Sequence, residues 1–104
     1  MPFDHPTPRP LQPSAIHNFA PTLSGVYGLS NAREWIYIGE TDNIRGALIR
    51  HLNDFDTPAM KMQPTGFVFE ICDQSRRPAR QDRLVHEYEP ACNRGNRHAL
   101  GSLR

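Results

Sequence analysis

Long hydrophobic runs are missing from this chain. No apolar stretch approaches the roughly 18 residues of a membrane span, so no membrane partner is expected. Cysteine is scarce: Cys72 and Cys92 are the only two. That excludes a disulfide scaffold, and their separation fits no zinc-binding pattern, so both read as reduced, partly buried thiols. An excess of charge of one sign is missing too. Twelve basic residues stand against eleven acidic ones, for a net charge of +1. Charge alone therefore makes no case for a nucleic-acid partner. The first residues lack the basic and apolar regions of a secretory signal, so a cytoplasmic location is expected.

What is present is unevenly placed. Residues 1–73 hold five basic and eight acidic side chains, and residues 74–104 hold seven arginines against Asp82, Glu87 and Glu89. A basic carboxy-terminal part can follow a phosphate backbone or be a solvated surface. Six of the ten prolines lie within residues 1–22. Their fixed torsions and missing donors argue against a regular helix or central strand. The expectation is a proline-rich arm over 1–22, mobile at first, with Ile16 and Phe19 pinning its later part. Such an arm can also serve as a ligand for a protein partner. At 104 residues the rest suits one domain over 23–93, followed by a basic tail over 94–104.

The remaining pattern alternates strands and helices. Residues 24–30 and 35–38 read as strands, with turn chemistry at Asn31, Ala32, Arg33 and Glu34 between them. Simple alternation puts Tyr27 with Leu29 on one face and Trp35 with Tyr37 on one face, with Ile36 and Ile38 pointing the other way. Thr41 or Asp42 is the expected cap of a helix running to about 53, whose apolar stripe is Ile44, Leu48, Ile49 and Leu52. A loop over 53–65 leads to the strongest strand, 66–72. A last helix buries Leu84, Val85 and Tyr88 and stops at Pro90. The predicted fold is α/β (α+β): a small three-stranded mixed or antiparallel sheet flanked by helices, in the order β-β-α-β-α.

Two tyrosine tripeptides stand out, Gly25-Val26-Tyr27 and Tyr37-Ile38-Gly39. Two phenols on one surface are either a satisfied core or a chemical site, because a buried hydroxyl needs a partner. With Thr41-Asp42-Asn43-Ile44, then His51, then Pro90-Ala91-Cys92-Asn93, they resemble the GIY-YIG nuclease domain over residues 24–93. The resemblance implies that Tyr27, Tyr37 and His51 occupy catalytic positions and that Arg50 can touch phosphate. It implies that Asn93 matches the asparagine after the last helix. It further implies hydrolysis of phosphodiesters in DNA, with a phenol handling the water proton and one divalent metal on a glutamate.

Two positions depart from the pattern. The family's arginine would fall at position 47, which is Ala47, and its glutamate at position 81, which is Gln81. Removing one preorganised stabiliser costs about 2.7–4 kcal/mol of transition-state binding. The expected function is therefore nucleic-acid phosphate binding on a GIY-YIG endonuclease-like domain with weak or lost cleavage. Arg50, Arg77 and Arg80 are the expected phosphate contacts, with DNA as the expected partner. No metal ligand set is assigned. Magnesium or manganese enters only with the alternative reading, an active endonuclease rearranged around Glu40 or Glu70. A protein-interaction module on the same fold is the further alternative.

Overall fold

A computed structural model describes residues 2–3 and 5–93. The expected basic tail over 94–104, with His98, lies outside them. Four strands form one sheet: β1 (Arg9–Pro10), β2 (Gly25–Ser30), β3 (Trp35–Thr41) and β4 (Gly66–Ile71). Their spatial order is β1-β4-β2-β3, and every neighbouring pair is antiparallel. The sheet thus has four strands where sequence reading predicted three. The fourth is β1, two residues long and containing a proline. Proline cannot donate to a ladder, so it is tolerated only at such an edge.

Among the described residues α1 (Pro13–Phe19), α2 (Ile44–Asn53), α3 (Pro58–Lys61) and α4 (Arg77–Tyr88) accompany the sheet. The segment expected as an extended arm is instead built into the fold. Pro13 falls in the first turn of α1, where its missing N–H breaks no helical bond. Ile16 is fully buried, as expected, but Phe19 is half exposed and lies under the guanidinium of Arg9. Arg45 on α2 donates to the carbonyls of Ala20 at 2.9 Å and His17 at 3.2 Å, fastening the end of α1. Phe3 is buried between Trp35 and Tyr88, with ring centroids 6.0 and 5.7 Å away.

Two cores sandwich the sheet. On one face α1 and α2 bring Ile16, Ile44 and Leu48 against Leu29, Ile36 and Phe67. On the other, α4 and the amino-terminal segment bring Leu84, Val85 and Phe3 against Val26, Ile38 and Val68.

The hairpin corrects the simple alternation. Leu29 pairs with Tyr37, but Ser30 pairs with Trp35, so Ile36 is an extra residue in β3. Such a bulge places two successive side chains on one face. Ile36 therefore joins the α2 side together with Tyr37, while Trp35 turns to the α4 side with Ile38.

The cap of α2 also moves. Its side-chain acceptor is Asn43, which takes the N–H of Gly46 at 3.0 Å. Thr41 still belongs to β3, and its hydroxyl accepts from the N–H of Asn43 at 3.0 Å. The expected loop over 53–65 contains α3, one turn capped by Thr57. Among the described residues no helix is long and apolar enough to cross a membrane.

Candidate functional site

Three rings meet where β2, β3 and α2 converge. Tyr27 pairs with Gly39 and Leu29 with Tyr37, so the two tyrosines are diagonal neighbours on adjacent strands. Their ring centroids are 6.1 Å apart. Gly39 makes this possible. A Cβ built there would lie 2.7 Å from the Tyr27 hydroxyl and 2.8 Å from the Tyr37 ring. His51, in the last turn of α2, stands 5.6 Å from each phenol ring, centroid to centroid. Its Nε2 is 2.9 Å from the Tyr27 hydroxyl. The structure thus brings together Tyr27, Tyr37 and His51.

A cleft of about 210 Å³ opens over this trio, lined by Tyr27, Tyr37, Ala47, Arg50, His51, Asp54 and Thr57. Ala47 sits one helical turn before His51 and is buried. A methyl group fills the position that the resemblance gives to arginine. Arg50 lies on the rim and is exposed. Asp54 and Thr57 were missed by sequence reading. Their only signal is their position just past the end of α2.

Burial sets the charge of the trio. It pushes the Tyr27 phenol well above its ordinary value, helped by the neighbouring Tyr37, and it pushes Tyr37 up as well. Burial, then the nearby Arg50 cation, hold His51 below 6.5. Near neutral pH the phenols are protonated and the imidazole is neutral. The site can donate hydrogen bonds from phenol and guanidinium, and its imidazole can take a proton. A phenolate base is not populated.

Arg77 and Arg80 are not part of this cleft. Glu40 and Glu70 both pair with Val26 in the sheet register, so they flank it on the α4 face, opposite Tyr27. Arg77 Nε donates to Glu40 at 3.1 Å and its Nη1 to Ser24 at 3.1 Å. Arg80 makes a forked pair with Glu70, at 2.7 and 2.8 Å, and donates to the Pro2 carbonyl at 2.8 Å. These two expected phosphate contacts hold α4 and the amino-terminal segment to the sheet.

Gln81, at one of the two departing positions, and Asn93, at a matching one, act on the backbone. Asn93 and Gln81 both engage Ile38, on the edge strand β3. Asn93 Oδ1 accepts the Ile38 N–H at 2.6 Å, and Asn93 Nδ2 donates to the Ile38 carbonyl at 2.9 Å. Gln81 Nε2 donates to the same carbonyl at 3.1 Å.

Glu40, Glu70 and Gln81 offer a divalent metal no free set of donors. Glu40 and Glu70 are each held by an arginine, and the Gln81 amide nitrogen faces a carbonyl. Among the described residues no three His, Cys, Asp or Glu side chains converge on one point.

No protein-family model matches the chain, and no curated protein matches it. Solved structures do. The chain is similar to the GIY-YIG N-terminal endonuclease domain of UvrC from Thermotoga maritima bound to its catalytic magnesium, at 22% identity and a TM-score of 0.61, over 73% of this chain and 92% of that one. An asparagine-to-alanine variant of that domain, also bound to its catalytic divalent cation, matches at 21% identity and a TM-score of 0.62, over 73% and 91%. A tyrosine-to-phenylalanine variant matches at 20% identity and a TM-score of 0.61, over 73% and 91%. The fold is that of a GIY-YIG nuclease domain.

Proposed function

We propose that this chain uses the GIY-YIG-like fold to hold nucleic-acid phosphates in the tyrosine cleft and cleaves phosphodiesters weakly or not at all. One observation carries the reading. The cleft joins phenol, imidazole and the rim guanidinium of Arg50, while Ala47 supplies only a methyl group at its wall. Its volume of about 210 Å³ falls below the roughly 300–1,000 Å³ of drug-sized ligand sites, and suits a phosphate group. Arg50 would bind a phosphoryl oxygen through its guanidinium, and the Tyr37 hydroxyl would donate beside it. His51, neutral and already beside Tyr27, would keep the phenol oriented.

Hydrolysis lacks two contributors. No guanidinium projects from position 47, and Glu40 and Glu70 are bonded to arginines on the other face, which leaves Asp54 as the carboxylate at the cleft. An active centre rearranged around Glu40 or Glu70 would have to break the Arg77–Glu40 or Arg80–Glu70 pair to free a ligand. That requirement favours the binding reading.

The test measures binding and cleavage together. Labelled single-stranded, nicked and branched DNA are incubated with the protein in magnesium or manganese. The expected result is salt-sensitive binding, weakened several-fold by Arg50→Ala, with no cleavage. Metal-dependent cleavage that disappears in Tyr37→Phe would overturn the proposal.

A further inference from the structure

A cavity larger than the tyrosine cleft lies on the other face of the sheet. It is a groove of about 580 Å³ between the end of β4 and the first turns of α4, lined by Ile71, Cys72, Ser75, Arg76, Ala79 and Arg83, with the Arg80–Glu70 pair as a wall. Arg80 is committed to Glu70, so that pair adds no net charge. Arg76 and Arg83 differ. Both are exposed, and neither side chain is bonded to a carboxylate among the described residues. Asp73 turns its carboxylate to the Ser75 hydroxyl at 2.7 Å and to the backbone N–H of Arg76 at 3.1 Å.

The spacing of the two arginines is informative. They are seven residues apart, Arg76 at the N-cap of α4 and Arg83 within it, about two turns along or about 10 Å at about 1.5 Å per residue. Ala79 lies between them, and its small side chain leaves the groove floor open. Along a duplex axis one strand advances about 3.4 Å per phosphate, so about 10 Å of axis spans three phosphate steps. The groove therefore presents two guanidinium groups at a spacing that a strand backbone can meet. Its acidic member is already neutralised, and Ile71, 59% exposed, forms an apolar lip.

We infer that this groove is a second binding site for a nucleic-acid backbone, formed by Arg76 and Arg83 on the sheet face opposite the tyrosine cleft. The two sites are separated by the sheet, so the domain can touch two stretches of nucleic acid at once. The groove stands independently of the proposed role of the cleft.

The experiment measures anisotropy of labelled single-stranded and duplex DNA against salt concentration. The variants are Arg76→Ala with Arg83→Ala, Arg50→Ala, and a control removing the same charge elsewhere, Arg33→Ala with Lys61→Ala. All four affected side chains of the two double variants are exposed, so folding is retained. The groove variant is expected to bind about tenfold more weakly, with a logarithmic salt slope lower by about 1.4–1.8 for two lost phosphate contacts. The control is expected to change affinity by less than about twofold. Equal losses in the two double variants, or no loss in the groove variant, would overturn the inference. So would displacement of the bound oligonucleotide by tripolyphosphate at an equal concentration of phosphate groups, which would identify a small-phosphate site. An effect of Arg50→Ala alone leaves the cleft reading standing and removes the groove. An effect of the groove variant alone does the reverse.

Discussion

Asn93 brackets Ile38. Its side-chain amide takes that residue's N–H at 2.6 Å and returns a hydrogen bond to its carbonyl at 2.9 Å. A side chain thus replaces a missing neighbouring strand at one rung of the edge strand β3. Both atoms of Asn93 are consumed by backbone, so its role in this chain is to hold the strand that carries Tyr37.

Asn93→Ala removes both bonds and leaves the buried Ile38 N–H without an acceptor. A loss of about 2–4 kcal/mol is expected, from one orphaned buried group and one weakened carbonyl. Urea denaturation checks this, and a change below about 0.5 kcal/mol would contradict the bracket.

Gln81→Glu replaces a donor to the Ile38 carbonyl by a carboxylate that cannot donate. Stability near pH 7 should fall by about 1–2 kcal/mol. The carboxyl at this position favours its protonated form in the fold, so the deficit should shrink as pH is lowered through its folded pKa. Denaturation of wild type and variant at pH 7.5 and pH 5 reads the difference.

Arg80→Ala and Arg50→Ala should separate cleanly. Arg80 and Glu70 are about 15% and 13% exposed in their side chains, and the pair is forked. Removing the arginine leaves a mostly buried carboxylate, for a loss of about 3 kcal/mol. Arg80→Lys should recover only part of it, since an ammonium cannot form the fork. Arg50→Ala, at an exposed rim, should stay within about 0.5 kcal/mol of wild type. Thermal unfolding of the three variants decides this.

Phe3→Ala tests the amino-terminal segment. The ring is 2% exposed and packs on Trp35 and Tyr88, and its N–H donates to the Tyr88 hydroxyl at 3.2 Å. Emptying that position should cost about 3–5 kcal/mol. A free arm would show no change.

The His51 imidazole should titrate below 6.5 by nuclear magnetic resonance. A lowered folded value means that the folded state binds fewer protons than the unfolded one. The stability linked to His51 is therefore fully present above about pH 6.5. It is lost as pH falls through the folded pKa. His51→Asn should flatten this part of the stability–pH curve.

The legible parts of the sequence were those with periodic or paired signals. The tripeptides, the stripe of α2 and the apolar positions of α4 located three of the four strands, two helices and the phenol pair, and the family resemblance placed His51 beside them. The bulge at Ile36 was not legible, because a single extra residue leaves the apolar pattern of a strand intact while turning Trp35 to the other face. The amino-terminal segment was misread because prolines exclude helix interiors but suit first turns and edges, the places where Pro13 and Pro10 fall. Arg77 and Arg80 were expected at phosphate because helix spacing does not reveal carboxylates on strands distant in sequence.

The Asn93 bracket has a bearing on self-association. A seven-residue edge strand such as β3 offers a template on which another chain can add a strand. With Asn93 occupying the polar atoms of Ile38, an incoming strand would meet a blocked rung at the middle of β3. At the opposite border β1 is two residues long and one of them is Pro10, which has no N–H to offer. The middle rung of β3 and the start of β4 behind β1 are thereby closed to an added strand. Loss of Asn93 should then show itself in storage as well as in stability, as a chain more prone to form β-rich aggregates than its lowered folding free energy alone would predict.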